Sequence, residues 1–194
     1  MSEFSSDVTS DILRRQGILA RDALTDRERE AGSVAAAERI AESRIFQRAG
    51  TVMIYNHIRG ELSLDPLLSH PAAAGKRYVY PLCISRTEMI AMLPGAWKKG
   101  AFGIREPDLE VSKTVDPESI DLVICPCTAF DENGSRIGMG AGYYDRFLPK
   151  CAKAHVAAAA FEVQKAAFIP LRAWDYPMEA VFTDKTIYSR KVSF

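Results

Sequence analysis

Two spacings of apolar residues alternate along this chain, and the switches between them outline its elements. From Ser10 the apolar positions Ile12, Leu13, Leu19, Ala20 and Ala23 recur on one helical stripe, with Arg14, Arg15 and Arg21 beside it. Gly17 lies inside that helix and weakens it by roughly 1 kcal/mol relative to Ala. Residues 1–9 are short and polar and read as a flexible lead. Thr25 with Glu28 three residues later forms a capping-box start for a second helix through Val34, Ala37 and Ile40.

Beyond residue 50 the period shortens. Residues 51–55 are β-branched and apolar, a buried strand followed by a loop that holds Asn56, His57, Gly60 and Glu61. Residues 65–73 predict a short helix with Pro66 in its first turn, and 77–81 and 87–92 predict strands. The stretch 94–107, with Gly95, Gly100 and Gly103, reads as an ordered loop. A strand over 121–125 is closed by Pro126. After a glycine-rich stretch at 131–142 come a helix at 143–148, a strand at 155–161, a short helix at 163–168 and strands at 180–183 and 186–189. Apolar strands alternating with helices predict an α/β fold over residues 10–194: a single-domain, mainly parallel, Rossmann-like sheet with helices on both faces. A chain of 194 residues buries about 70% of its surface on folding, enough for one full core.

Composition narrows the function. Basic and acidic side chains balance at 25 each, so nothing draws the chain in bulk to nucleic acid or an anionic membrane. The longest apolar run, residues 156–161, is strand-sized and far short of the ~20 residues of a membrane span. The first ten residues show neither the basic nor the apolar region of a secretory signal. Four cysteines in such a chain read as reduced thiols, and the expected place is the cytoplasm. Cys125 and Cys127 form a C-x-C with no second cluster to complete four zinc ligands, so they read as small buried thiols.

Candidate chemistry concentrates in Arg136-Ile-Gly-Met-Gly-Ala-Gly-Tyr-Tyr-Asp145. Alternate glycines let backbone N–H groups converge on a ligand, and a helix opening directly afterwards favours a phosphate. Arg136 offers a charge-assisted contact, and Asp145 offers the hard oxygen that Mg²⁺ prefers. The glycines are also compatible with a tight turn and nothing more. Neither the dinucleotide fingerprint nor the P-loop is matched, because G-x-x-G spacing and a Gly-Lys-Ser/Thr are both missing.

The stretch Asp121-Leu-Val-Ile-Cys-Pro-Cys-Thr-Ala-Phe-Asp131, with Gly134, Arg136 and Gly138-Met-Gly-Ala-Gly-Tyr-Tyr-Asp-Arg-Phe-Leu148, resembles the signature of the 5-formyltetrahydrofolate cyclo-ligase family. Residues 55–61 resemble that family's first strand and substrate glutamate, and Phe102-Gly-Ile-Arg-Glu-Pro107 its central motif. Ala160-Phe-Glu-Val-Gln164, Pro170, Asp175 and Thr183 follow in the family's order. The resemblance implies ATP- and Mg²⁺-dependent closure of 5-formyltetrahydrofolate to 5,10-methenyltetrahydrofolate, with phosphorylation of the formyl oxygen.

Carried over, Arg14, Arg136, Ile137, Gly138, Met139, Gly140, Ala141, Gly142, Tyr143 and Tyr144 would hold ATP. Arg14, Asn56, Glu61 and Met139 to Tyr143 would meet the reduced folate. Arg136 and Tyr143 would take part in catalysis, and Asp145 and Asp175 would hold Mg²⁺. The implied protein is a monomer or weak homo-oligomer with a small-molecule substrate and no nucleic-acid or membrane partner. It departs from the family at Ser10, where relatives carry a lysine that contacts ATP. Losing such a contact costs ~1.5–3 kcal/mol, and Arg15 or Arg21 are the candidates to compensate. Two other readings stay open: a diverged homologue that binds folate or nucleotide without turnover, and an unrelated nucleotide-binding oxidoreductase.

Overall fold

The computed structural model describes residues 3–58, 60–100 and 103–190, with residues 3–8 as backbone only. Three helices open the chain, α1 (Glu3–Asp22), α2 (Asp26–Glu42) and α3 (Arg44–Arg48). Thr25 caps α2: its side chain accepts from the Glu28 N–H, and the Glu28 carboxylate accepts from Thr25 N at 2.8 Å, the reciprocal box anticipated from the sequence. The structure places α1 from Glu3 rather than Ser10, so the lead read as flexible is helical over residues 3–9; residues 1 and 2 lie outside the described part.

The central sheet gathers β1 (Thr51–Met53), β2 (Arg77–Cys83), β3 (Met89–Leu93), β6 (Lys113–Val115), β7 (Leu122–Pro126), β10 (His155–Ala160), β11 (Ala180–Thr183) and β12 (Ile187–Ser189). Their order is β12-β11-β10-β7-β1-β2-β3-β6. The five strands from β11 to β2 run parallel, and β12, β3 and β6 join antiparallel at the edges. Successive side chains of each parallel strand face opposite ways. Val52, Leu122, Ile124, Ala157, Ala159 and Phe182 enter one core, and Met53, Val123, Cys125, Val156, Ala158 and Val181 enter the other.

Helices cover the two faces unequally. Ala36, Ala37, Ile40 and Ala41 of α2 and Phe46 of α3 pack on the first face. The second face receives Phe147 from α5 (Tyr143–Phe147) with Leu148 and Cys151 just beyond it. Helix α1 belongs to neither layer and lies across the carboxyl ends of the strands. Helices on both faces therefore holds only with a single short helix on the second side, and the fold is a mixed α/β domain around a large, mostly parallel sheet.

Several segments differ from the sequence expectation. The loop at 94–107 contains a hairpin, β4 (Trp97–Lys99) with β5 (Arg105–Pro107), stabilised by Trp97 against Tyr80 at 4.7 Å; Phe102 of the quoted motif lies outside the described residues. The helix at 65–73 divides into α4 (Asp65–Leu68) and a 3-10 turn at Pro71–Ala73, and that at 163–168 is a 3-10 turn at Glu162–Gln164. A small hairpin, β8 (Ala129–Phe130) with β9 (Arg136–Ile137), directly precedes the glycine loop. The apolar stripe of α1 also turns out otherwise. Ile12 and Leu19 are 51% and 69% exposed, while Ser10, Gly17 and Arg21 are buried.

Gly17 explains the inversion. A Cβ there would stand 1.9 Å from the Thr128 carbonyl oxygen, so backbone-to-backbone approach requires glycine, and the polar face that surrounds it turns inward. Thr128 cannot retreat, because its N–H and hydroxyl both donate to Ile137 O, at 2.7 and 2.9 Å, and its carbonyl accepts from Gln164 Nε2 at 3.0 Å. Gly17→Ala, which helix propensity alone would favour, should instead destabilise the protein by about 1–3 kcal/mol in urea or thermal unfolding. A midpoint equal to or above the wild type would show that α1 is not seated through this contact.

Candidate active site

One large cleft, of about 880 Å³, opens at the carboxyl ends of β1, β2 and β7. The strand order reverses between β1 and β7, and open α/β sheets bind ligands at that crevice. Every residue assigned from the sequence to nucleotide, folate or metal lines this cleft, from Arg14 on α1, through Asn56 and Glu61 after β1, to residues 136–145 and Asp175.

The glycine loop is fastened from three sides. Arg14 Nε donates to Gly138 O at 2.8 Å, and its Nη1 pairs with Asp11. Arg146 Nη2 donates to Ala141 O at 2.7 Å and its Nε to Thr87 O at 2.8 Å, with the guanidinium 5.5 Å from the Tyr143 ring centre. Beneath the loop, the buried Asp131 carboxylate accepts from the N–H groups of Asn133, Ser135 and Ile169 at 2.9, 3.0 and 2.9 Å. That last bond ties the hairpin to the segment carrying Arg172, Trp174 and Asp175. Gly140 and Gly142 hold φ values of 101° and 67°, a region that side chains disfavour, and Gly142 turns the chain into α5. Helix α5 has only five residues, so the dipole expected behind the loop is short.

At the loop's end, Arg136 is buried and pairs through Nη2 with Asp145 Oδ1 at 2.8 Å, its guanidinium 5.7 Å from the Tyr144 ring centre. Asp145 Oδ1 also accepts from Tyr176 N at 3.3 Å, and Asp175 Oδ2 accepts from Arg172 N at 2.8 Å. The remaining oxygen of each aspartate has no hydrogen-bond partner among the described residues. No group of three or more His, Cys, Asp or Glu gathers among them, which does not suit a zinc centre. Two carboxylates do suit an ion such as Mg²⁺, which keeps several waters and completes its shell with phosphate oxygens.

The tyrosines separate. Tyr143 donates its hydroxyl to Ser85 O at 2.9 Å, so it braces the β2–β3 turn. Tyr144, whose phenol burial holds well above its ordinary pKa, lines the cleft with no hydroxyl partner among the described residues. Both tyrosines line the cleft, Tyr143 being the one the sequence placed in catalysis. On the opposite wall Asn56 Nδ2 donates to Arg105 O at 2.5 Å, and Glu61 Oε2 accepts from Ile58 N at 3.1 Å. Burial pushes the Glu61 carboxyl above the usual carboxylate range, against the pull of the Ile58 N–H and of Arg21.

Ser10 lines the cleft beside Arg14. Neither arginine named as a candidate to compensate for it lines the cleft: Arg15 is exposed, and Arg21 is buried against Glu61. The guanidinium groups of Arg146 and Arg172 do line it, as does Trp174, which is 58% exposed at the rim rather than a packing residue. The sequence set Arg21 beside the apolar stripe of α1, with no signal that it turns inward, and nothing local placed Arg172 or Trp174 at the cleft.

Fold and cleft define an α/β protein with a small-molecule site at the reversal of its strand order. The family model described as the 5-formyltetrahydrofolate cyclo-ligase family matches residues 8–184. The chain is 30% identical over 175 residues to the 5-formyltetrahydrofolate cyclo-ligase of Escherichia coli K12, covering 87% of this chain and 96% of that one. It is 25% identical to the mouse protein of the same name, covering 82% and 85%. Among solved structures, it is similar to the 5,10-methenyltetrahydrofolate synthetase of Aquifex aeolicus, with TM-score 0.80, 29% identity and 95% and 94% coverage. That of Mycoplasma pneumoniae matches with TM-score 0.74, 26% identity and 90% and 98% coverage. The chain belongs to the 5-formyltetrahydrofolate cyclo-ligase family and is an enzyme, a cyclo-ligase.

Thiol chemistry checks the packing around the cleft. Burial raises Cys125, Cys127 and Cys151 to about 12, whereas Cys83 is exposed at the end of β2. Alkylation of the native protein should label Cys83 alone, faster as pH rises because the thiolate reacts, and all four after denaturation. Native labelling of Cys125 or Cys127 would contradict this arrangement.

Proposed function

We propose that this protein closes 5-formyltetrahydrofolate to 5,10-methenyltetrahydrofolate, consuming ATP to ADP and phosphate. The observation that carries the proposal is the convergence in one cleft of the glycine loop, the Asp145–Asp175 pair and Glu61, in a chain of this family. The order of the parallel strands supports the Rossmann-like reading and the nucleotide, since doubly wound sheets of this kind hold nucleotides where the order reverses.

An amide oxygen is a poor leaving group. The formyl oxygen attacks the γ-phosphorus of ATP, the bridging P–O bond breaks and ADP departs. N10 then attacks the formyl carbon and loses its proton, and the C–O bond breaks to release phosphate. The chain supplies positioning and charge for these steps. The N–H groups of residues 137–142 and the guanidinium groups of Arg14 and Arg146 receive the triphosphate. The Tyr144 phenol donates toward the transferring group, and Tyr143 holds its neighbouring turn still. Arg136 fixes the Asp145 carboxylate in place through their 2.8 Å pair, and Mg²⁺, held by Asp145 and Asp175, would neutralise charge on the phosphates. Glu61 and Asn56 take the folate, the carboxylate accepting from the pterin's donor edge. No helix among the described residues is long and apolar enough to cross a membrane, which accords with a cytoplasmic site of action.

The test is turnover of purified protein with 5-formyltetrahydrofolate and Mg²⁺, with and without ATP, following methenyl absorbance and ADP together. Equal amounts of both products, formed only with ATP, are expected. Binding of folate or ATP without product would instead favour a diverged binding protein, the reading that Ser10 at the lysine position supports. Asp145→Asn keeps an acceptor for Arg136 and should lower turnover by about 100-fold or more with the melting temperature nearly unchanged; a near-normal rate would remove Asp145 from the phosphate end of the site.

A further inference from the structure

Arg21 is 1% exposed, and a buried guanidinium needs a compensating charge. Its Nε and Nη1 make no hydrogen bond among the described residues. The nearest carboxylates are Glu61, with Oε1 3.6 Å from Nη1, and Asp22 at 3.8 Å, which is half exposed. A separation of 3.6 Å is an ion pair without a hydrogen bond. Glu61 therefore feels the charge of Arg21 while its Oε1 accepts no hydrogen bond among the described residues, and its Oε2 is held by the Ile58 N–H. The Glu61 N–H donates to Ile58 O at 2.8 Å, so this turn closes on itself and fixes where the carboxylate starts.

Glu61 lines the cleft, whereas Arg21 stands behind it on α1. The other titratable groups that face Glu61 are the phenol of Tyr55 after β1, the thiol of Cys127 after β7 and the phenol of Tyr144 on α5. Burial raises all three, so they are neutral near pH 7, and among these groups only Arg21 carries a charge. Arg14 and Arg21 are two helical turns apart, ~10.5 Å along α1, with Gly17 between them. One helix thus reaches the glycine loop at Gly138 with one arginine and Glu61 with the other.

We infer that Arg21 is a positioning residue for Glu61: from behind the cleft wall its guanidinium keeps the carboxylate in place and charged, so that it accepts from a ligand's N–H donor edge. This rests on the folate reading of Glu61 given above. Without Arg21, the buried carboxylate takes up a proton more readily and presents a donor to a donor.

The experiment is a double-mutant cycle of Arg21→Met and Glu61→Gln, with Arg21→Lys alongside, measuring folate KM, ATP KM and the pH profile of kcat/KM for folate. Arg21→Met should raise folate KM about 10- to 100-fold, leave ATP KM within about twofold, and move the acid limb to higher pH because removal of the cation raises the Glu61 pKa. Arg21→Lys should fall between it and wild type, and the double variant should be no worse than Glu61→Gln alone. A lowered melting temperature with wild-type folate KM and acid limb would overturn the inference by reducing Arg21 to a structural part. Losses that multiply in the double variant would overturn it as well. If Arg21→Met does not fold, Arg21→Lys takes its place in the cycle with the same criteria. Glu61→Gln with unchanged folate KM would overturn the folate reading and the inference together; weakened folate in Glu61→Gln but not in either Arg21 variant would overturn the inference alone.

Discussion

The contact of α1 with the carbonyl of Thr128, possible only because residue 17 has no side chain, organises the working end of this molecule. Thr128 follows the central strand β7 and is held by Ile137 and Gln164, so it is a fixed point of the sheet. Bringing α1 onto that point turns Ser10, Arg14 and Arg21 inward and leaves Ile12 and Leu19 in solvent. The arrangement exchanges burial of two aliphatic side chains, worth ~1.5–3 kcal/mol each, for placement of two cations. A helix seated by its apolar stripe would bury more hydrocarbon and present no arginine to the cleft.

Charge in the cleft is arranged in advance. Arg14 and Arg146 are fastened to carbonyls of the glycine loop, and Arg136 is paired with Asp145 beneath it. These groups spend little freedom when a ligand arrives, which is how a site built on positioning and electrostatics works. The buried Asp131 extends that order to the segment carrying Asp175 through the Ile169 N–H. Glu61 and Asn56 line the same cleft as the glycine loop, so under the proposed function folate and phosphate contacts share one cavity.

Much of this was legible in the residue pattern, for identifiable reasons. The buried strands at 51–55, 121–125 and 155–161 were visible because both their faces are apolar, and α2 because Thr25 and Glu28 cap it. The 94–107 stretch hid a hairpin because its strands are three residues each and partly exposed, with Trp97 and Arg105 stacking at 4.8 Å in place of an alternating pattern. The strand β9 was missed for the same reason: two residues carry no period. The glycine loop and both aspartates stood out because Gly-x-Gly-x-Gly-Tyr-Tyr-Asp is a dense local signal.

By itself, the sequence determined the α/β class, the strand-by-strand core, the family and the residues that converge on the cleft, since each depends on local composition or a contiguous motif. Tertiary structure alone decided which face of α1 turns inward, that Tyr143 braces a turn while the Tyr144 hydroxyl has no partner among the described residues, and that Arg21 stands beside Glu61. Those outcomes depend on which backbone approaches which, as at Gly17 and Thr128, 111 positions apart in the chain. No hydrophobic period or short motif records a contact of that range, because its partners are chosen by the closing of the sheet.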